Sequence, residues 1–183
     1  MKIWESKTWF DEDNEFTVHQ FNIEREVDGR GKVMSLEITK RVEFDMGHRL
    51  PGYKGACKHL HGHRYALLAA VKGDIQKEGS DEGMVIDFKK MKEAMQEVVS
   101  HLDHRMMLHR DDPLVCAYEY WNPTERERMM ERDGILVVPF IPTAENIAMM
   151  ILMALKSSPH STELEWVKVV LYETPSCSAE VRA

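Results

Sequence analysis

An α+β domain, with a four-stranded antiparallel sheet and two helices on one side, is the fold class this 183-residue sequence predicts. Three observations lead to it. Residues 36–46 alternate: Leu36, Ile38, Val42, Phe44 and Met46 share one parity, and Glu37, Thr39, Arg41, Glu43 and Asp45 the other, the period of a half-buried strand. Two segments, around 88–102 and 144–155, instead repeat their apolar residues at helical spacing. The order of elements is two strands, a helix, an irregular insert, a second helix and two strands, which suits helices packed against one face of an antiparallel sheet. Such an open sheet has two edges, and pairing them between subunits would remove both, so a ring-like homo-oligomer is expected.

The elements follow in chain order. Residues 1–34 are an N-terminal extension, a strand or an arm, with Trp9 and Phe10 among acids, a possible strand at Phe16–Glu26 and a turn at Asp28-Gly29-Arg30-Gly31. Residues 35–183 form a single domain with an insert around 109–140. The strand ending near His48 is followed by a loop at 51–56 bearing glycine and proline, then by a second strand through Tyr65–Val71. Asp87 caps the first helix, whose stripe is Phe88, Met91, Met95, Val98, Val99 and Leu102. In the insert, Asp111-Asp112-Pro113 reads as a turn, Glu125–Arg132 as a solvated helical face, and Ile135–Ile141, with Pro139 inside it, as an edge strand. Thr143 caps the second helix, Glu145 suits its positive end, and Ile147, Met150, Ile151, Ala154 and Leu155 form its stripe. Trp166–Glu173 and Ser178–Val181 are the closing strands.

Composition narrows the function classes. A formal charge of −7 disfavours a general nucleic-acid binder. No apolar run is long enough to span a bilayer and no signal peptide is visible. Three scattered cysteines are not a disulfide framework and suit a reducing cytoplasm. Arg49, Lys54, Lys58 and Arg64 give one corner local positive charge, although each taken singly reads as a solvated loop residue.

The chemistry concentrates at His48, Cys57, His61 and His63. On a strand, His61 and His63 point to the same face, and a hairpin would bring His48 alongside. Three neutral imidazoles leave one position open on a tetrahedral Zn²⁺, the pattern of a catalytic site. A lone His-x-His carries little weight; the third histidine and the nearby thiol add to it. Cys57 is either a nucleophile or base beside the metal or the fourth ligand of a closed site. Asp103-His104 could form a proton-transfer unit or a surface pair. Glu173 has the parity of the apolar side of its strand, so it needs a partner, either a ligand edge carrying two donors or an internal arginine.

Six segments occur in a familiar order: Phe44-Asp45-Met46-Gly47-His48-Arg49-Leu50-Pro51, Cys57-Lys58-His59-Leu60-His61-Gly62-His63, Gly83-Met84-Val85-Ile86-Asp87-Phe88, Leu102-Asp103-His104-Arg105-Met106, Pro142-Thr143-Ala144-Glu145-Asn146 and Tyr172-Glu173-Thr174. In these the chain resembles the 6-pyruvoyl-tetrahydropterin synthase family, most closely its 6-carboxy-tetrahydropterin synthase branch. The branch rests on the position of Cys57, four residues before His61. The resemblance implies the tunnelling fold, with trimers closing a β-barrel and two rings stacking into a homohexamer. It implies a cytoplasmic lyase that converts 7,8-dihydroneopterin triphosphate to 6-carboxy-tetrahydropterin, acetaldehyde and triphosphate, an early step toward queuosine and other 7-deazaguanines. It also implies Zn²⁺ on His48, His61 and His63, Cys57 as base, Asp103-His104 as a relay from a neighbouring subunit, Glu173 as pterin anchor and relay member, and Thr143 and Glu145 as shapers of the pterin pocket. Met46-Gly47, Ala56 and Arg64 depart from the family's pattern and bear on the triphosphate contacts. Two alternatives remain: a 6-pyruvoyl-tetrahydropterin synthase, which releases triphosphate without acetaldehyde, and a non-catalytic zinc-stabilised binding module.

Overall fold

The computed structural model describes residues 5–11, 14–20, 36–157 and 165–183. They form two units, one before and one after residue 35. In the first, β1 (Glu5–Asp11) and β2 (Asn14–Gln20) pair antiparallel as a two-stranded sheet, with Trp9 opposite Phe16 in register. The remainder of the strand expected at Phe16–Glu26 and the turn at 28–31 lie outside the described residues.

The second unit is a mixed six-stranded sheet with helices. Its strands are β3 (Leu36–His48), β4 (His61–Gly73), β5 (Arg105–His109), β6 (Ile135–Val138), β7 (Glu165–Thr174) and β8 (Cys177–Arg182), in the spatial order β6-β5-β3-β4-β7-β8. The antiparallel core β3-β4-β7-β8 holds the four strands expected around 36–46, 65–71, 166–173 and 178–181. The four-stranded expectation is corrected by β5 and β6, which add to the β3 edge in parallel. Arg105-Met106-Met107-Leu108-His109 has no alternation, and β5 meets β3 over Met46–His48 alone. Its strand character comes from that tertiary pairing and from β6, not from local pattern.

The helices are α1 (Phe88–Ser100), α2 (Pro113–Ala117), α3 (Pro123–Arg132) and α4 (Ala144–Ser157), so the expectation of two helices is corrected to four among the described residues. The two additions lie in the insert, where α3 presents the solvated charged face read from Glu125–Arg132 and buries none of its residues. Asp87 accepts from the Lys89 N–H at 2.8 Å and caps α1. Met91, Ala94, Met95, Val98 and Val99 of α1 and Ile147, Ala148, Ile151, Leu152 and Leu155 of α4 are buried. They join Phe44, Met46, Tyr65, Leu67, Ala69, Val71, Trp166, Val169 and Leu171 of the sheet in one core. One face of the β3-β4 hairpin is therefore buried through Phe44, Met46, Tyr65 and Leu67, and the three histidines stand at the end of that stretch. No helix of the described residues is long and apolar enough to cross a membrane.

Candidate metal centre

The β3-β4 register sets the site. His48 lies directly opposite His61, Met46 opposite His63, and Phe44 opposite Tyr65. With a side-chain period of two, all six share a face. Phe44 stacks on Tyr65 with ring centroids 5.2 Å apart, and this pair walls off the core side of the imidazoles. One ligand nitrogen from each of His48, His61 and His63 lies within 4.8 Å of the others.

Backbone carbonyls select the tautomers of two of them. His48 Nδ1 donates to the Pro142 carbonyl at 2.7 Å and His61 Nδ1 to the His59 carbonyl at 2.8 Å, which leaves each Nε2 as a bare lone pair. Burial, opposed by the Pro142 bond and by Glu173, holds His48 below the ordinary histidine range, and burial likewise depresses His63. The Nε2 atoms of all three are buried and have no hydrogen-bond partner. Glu173 Oε1 lies 3.0 Å from His48 Nε2 and 3.5 Å from His63 Nε2, without forming a hydrogen bond to either. Acceptors facing acceptors in a dry pocket are unfavourable unless something positive sits among them. The donor set fits a Zn²⁺-type dication, because three neutral imidazoles, two of them with the outer nitrogen fixed by a carbonyl, suit such an ion and leave one position open.

Glu173 reaches this position through an irregularity. The β7-β8 register shifts between Tyr172 and Thr174, and such a bulge re-aims the residue within it. Its carboxylate also accepts from the Tyr65 hydroxyl at 3.5 Å, and burial, then the Glu173 charge, pushes the Tyr65 phenol upward. No internal arginine takes the carboxylate among the described ion pairs; the imidazoles stand beside it instead.

Cys57 lies in a short 3₁₀ turn, Ala56–Lys58, inside the loop that joins His48 to His61. The Leu50 N–H donates to the Cys57 carbonyl at 2.8 Å and ties the loop across its base. The thiol is free and half-buried, and it is not one of the clustered ligand atoms. Thr143 and Glu145 open α4, next along the chain from the carbonyl that holds His48. The Thr143 hydroxyl accepts from the Asn146 N–H at 3.4 Å, and the Glu145 carboxyl is held low by its own N–H and by Thr143.

Asp103 and His104 are not brought to the imidazoles of the same chain. They cluster with Asp45, whose parity puts it on the opposite face of β3. Asp103 Oδ1 accepts from the Asp45 N–H at 2.9 Å, and Oδ2 stands 3.0 Å from His104 Nδ1. The Asp45 backbone N–H, aided by His104, holds the Asp103 carboxyl below its usual range. His104 adopts φ 60°, a left-handed conformation a non-glycine residue seldom takes, secured by its N–H donating to the Asp45 carbonyl at 2.7 Å. Beside it is an open groove of about 460 Å³ floored by Gly47 and Gly62 and bordered by Asp45, Arg64, His104 and Met106. A Cβ at Gly62 would stand 3.2 Å from the Met46 carbonyl, and one at Gly47 would collide with the Met106 side chain. This groove runs along the Asp45 and His104 face, and His63 borders it as well.

Sequence reasoning missed one residue here. Arg49 was expected to be a solvated loop charge; its side chain is 19% exposed and forks onto Asp112. Nothing in a turn-like Asp-Asp-Pro marks that partner. Arg64 instead donates to Glu43 at 2.7 Å on the exposed face, while Lys54 and Lys58 are exposed.

Residues 37–183 match the family described as 6-pyruvoyl tetrahydropterin synthase. The 6-carboxy-5,6,7,8-tetrahydropterin synthase of Haemophilus influenzae is 35% identical over 150 residues, spanning 79% of this chain and 96% of that protein. The protein of the same name from Aquifex aeolicus is 32% identical over 168 residues, spanning 81% and 99%. Among solved structures, an uncharacterized protein of Wolinella succinogenes superposes with a TM-score of 0.67 at 26% identity, covering 81% of this chain and 98% of its own. The Caenorhabditis elegans 6-pyruvoyl tetrahydropterin synthase superposes at 0.56 and 23% identity, covering 82% and 96%, a likeness of fold.

Proposed function

The chain belongs to the 6-pyruvoyl tetrahydropterin synthase family, and from that premise we propose that it is a carbon–carbon lyase of the 6-carboxy-tetrahydropterin synthase type. Its substrate is 7,8-dihydroneopterin triphosphate, and its products are 6-carboxy-5,6,7,8-tetrahydropterin, acetaldehyde and triphosphate. The names of relatives at 32% and 35% identity support the branch, as does Cys57 four residues before His61. The observation that carries the reading is the convergence of three buried, unpartnered imidazole nitrogens on one point.

His48, His61 and His63 hold a Zn²⁺, which when bound supplies Lewis acidity toward the substrate's side-chain oxygens. The protein does the rest. The Phe44-Tyr65 stack closes the pocket floor and excludes water from it. Cys57, on the loop between two ligand-bearing strands, takes a proton from the substrate side chain as the base. The Asp103-His104 pair returns a proton. Because it lies on the far face of β3 in its own chain, it serves the pocket of a neighbouring subunit. Glu173 accepts two donors from the amino-pyrimidine edge of the pterin, and Thr143 and Glu145 shape the pocket beside it.

This division of labour needs an assembly. The domain at 35–183, with its insert around 109–140, forms tunnelling-fold trimers that stack into a homohexamer in the cytoplasm, and 1–34 is an extension outside that domain. The product enters the route to queuosine and related 7-deazaguanines. No nucleic acid or membrane takes part.

The deciding experiment is incubation of zinc-loaded protein with 7,8-dihydroneopterin triphosphate and assay of the volatile product. Acetaldehyde in step with triphosphate is expected. Triphosphate without acetaldehyde would move the chain to the 6-pyruvoyl-forming branch, and no turnover with full zinc would leave a zinc-stabilised binding module.

A further inference from the structure

Among the described residues, two polar side chains are fully buried: His48, 1% exposed, and Asp112, 0% exposed. They are far apart in sequence and have one residue between them in space. Arg49, which follows His48, donates through Nε to Asp112 Oδ2 at 2.6 Å and through Nη2 to Asp112 Oδ1. Asp112 Oδ1 also accepts from the Leu114 N–H at 2.8 Å, and the Asp112 N–H donates to the His109 carbonyl at 2.9 Å. Burial opposes the Asp112 charge, but the Arg49 fork and the Leu114 N–H outweigh it, and the carboxyl stays below its usual range.

A helix cap alone does not account for this. Serine, threonine or asparagine caps as well, usually at the surface, and α2 is five residues long. A dry carboxylate is costly unless a cation meets it with matching geometry. What the fork does is pin the first residue beyond β3 in two directions, because a guanidinium on a carboxylate fixes plane as well as distance. On its other side, the His48 ring is pinned by the Pro142 carbonyl. His48 is the donor brought in from the other strand, opposite His61. Its aim is therefore set from outside the hairpin, by one contact on the ring and one on its chain neighbour.

We propose that Arg49 and Asp112 are positioning residues for the metal centre: their fork fixes the end of β3, and through it the aim of His48 Nε2, so that the insert, in which Asp112 lies, supports the donor set. This rests on the zinc reading above. Outer contacts of this kind, when removed, weaken metal binding about ten-fold to a hundred-fold in general.

Two substitutions test it on the full chain. Asp112→Asn keeps an oxygen for the Leu114 N–H but removes the charge facing Arg49. Arg49→Lys keeps the charge but loses the planar fork. Zinc affinity is read by competition with a chromophoric chelator, and the melting midpoint of the metal-free protein is read alongside. Both variants are expected to take one zinc per chain about ten-fold or more weakly than wild type, with the Arg49→Lys midpoint also lowered because the dry Asp112 carboxylate loses its matched partner. Lowered midpoints with affinity within about two-fold of wild type would overturn the proposal and leave a purely structural ion pair. If Asp112→Asn does not fold, Arg49→Lys decides by the same criterion. If wild type takes up no zinc, the metal reading falls and this one with it; if wild type binds and both variants bind equally well, this one alone falls.

Discussion

Two histidine-bearing clusters flank the same stretch of β3, and they are electrostatic opposites. On one face His48, His61 and His63 present buried nitrogens that nothing satisfies. On the other, Asp103, His104 and Asp45 are half-buried or exposed and already bonded to one another and to backbone. The first is incomplete without a cation, since unpaired lone pairs in a dry pocket are unfavourable. The second is already satisfied by its own contacts. Strand parity produces the contrast: Met46 and His48 face the core, while Asp45 and Gly47 face the groove.

The comparison breaks most sharply if an imidazole is removed. His61→Ala is expected to abolish stoichiometric zinc and reduce turnover to background, read by metal analysis and by acetaldehyde release. His104→Ala should leave metal content whole and lower turnover by roughly 10²–10⁴, the usual contribution of a positioned proton donor. Zinc lost from His104→Ala, or retained in His61→Ala, would erase the distinction between the clusters.

A smaller effect is expected at the glycine floor between them. Gly62→Ala places a methyl against the Met46 carbonyl, 3.2 Å away, and is expected to lower stability by about 1–3 kcal/mol, as overpacking does. Denaturant unfolding of the metal-free protein reads it.

The supporting ion pair adds a pH limb. The folded-state pKa of Asp112 is depressed, so its contribution is full above the unfolded carboxyl value of about 3.9 and is lost as pH falls from there through the lower folded value. Asp112→Asn is expected to flatten that acid limb in a melting-versus-pH series and leave the neutral region parallel to wild type. The smallest effect belongs to Asp87→Ala, remote from both clusters. It removes the α1 cap and is expected to cost about 1 kcal/mol with zinc affinity and turnover unchanged.

Legibility in the sequence followed the same physical lines. β3 and β7 announced themselves because one face of each is the more buried, and burial writes a period of two into the residues; β4, buried on both faces over Tyr65–Val71, was placed as the continuation of the histidine-bearing run. The helical stripes of α1 and α4 were readable for the corresponding reason at 3.6. β5 was not, because both neighbours of its five residues are distant in sequence and its pattern does not alternate. The histidine trio was legible from spacing plus a hairpin. The tautomer-setting carbonyls of His59 and Pro142 were not, because a backbone oxygen has no signature in the sequence. Glu173 was flagged by parity as a buried carboxylate in need of a partner. Its bulge, which turns it toward the imidazoles, had no local mark. The Arg49-Asp112 fork was missed because each residue alone reads as a surface charge.

The central claim is that three Nε2 lone pairs await one dication. X-ray absorption at the zinc edge on protein loaded with one equivalent tests it most directly. A shell of three imidazole nitrogens near 2.0–2.1 Å, reduced to two in His48→Ala, is the expected result. Zinc bound with fewer than three imidazoles in the wild type, or a shell unaltered by His48→Ala, would contradict the account.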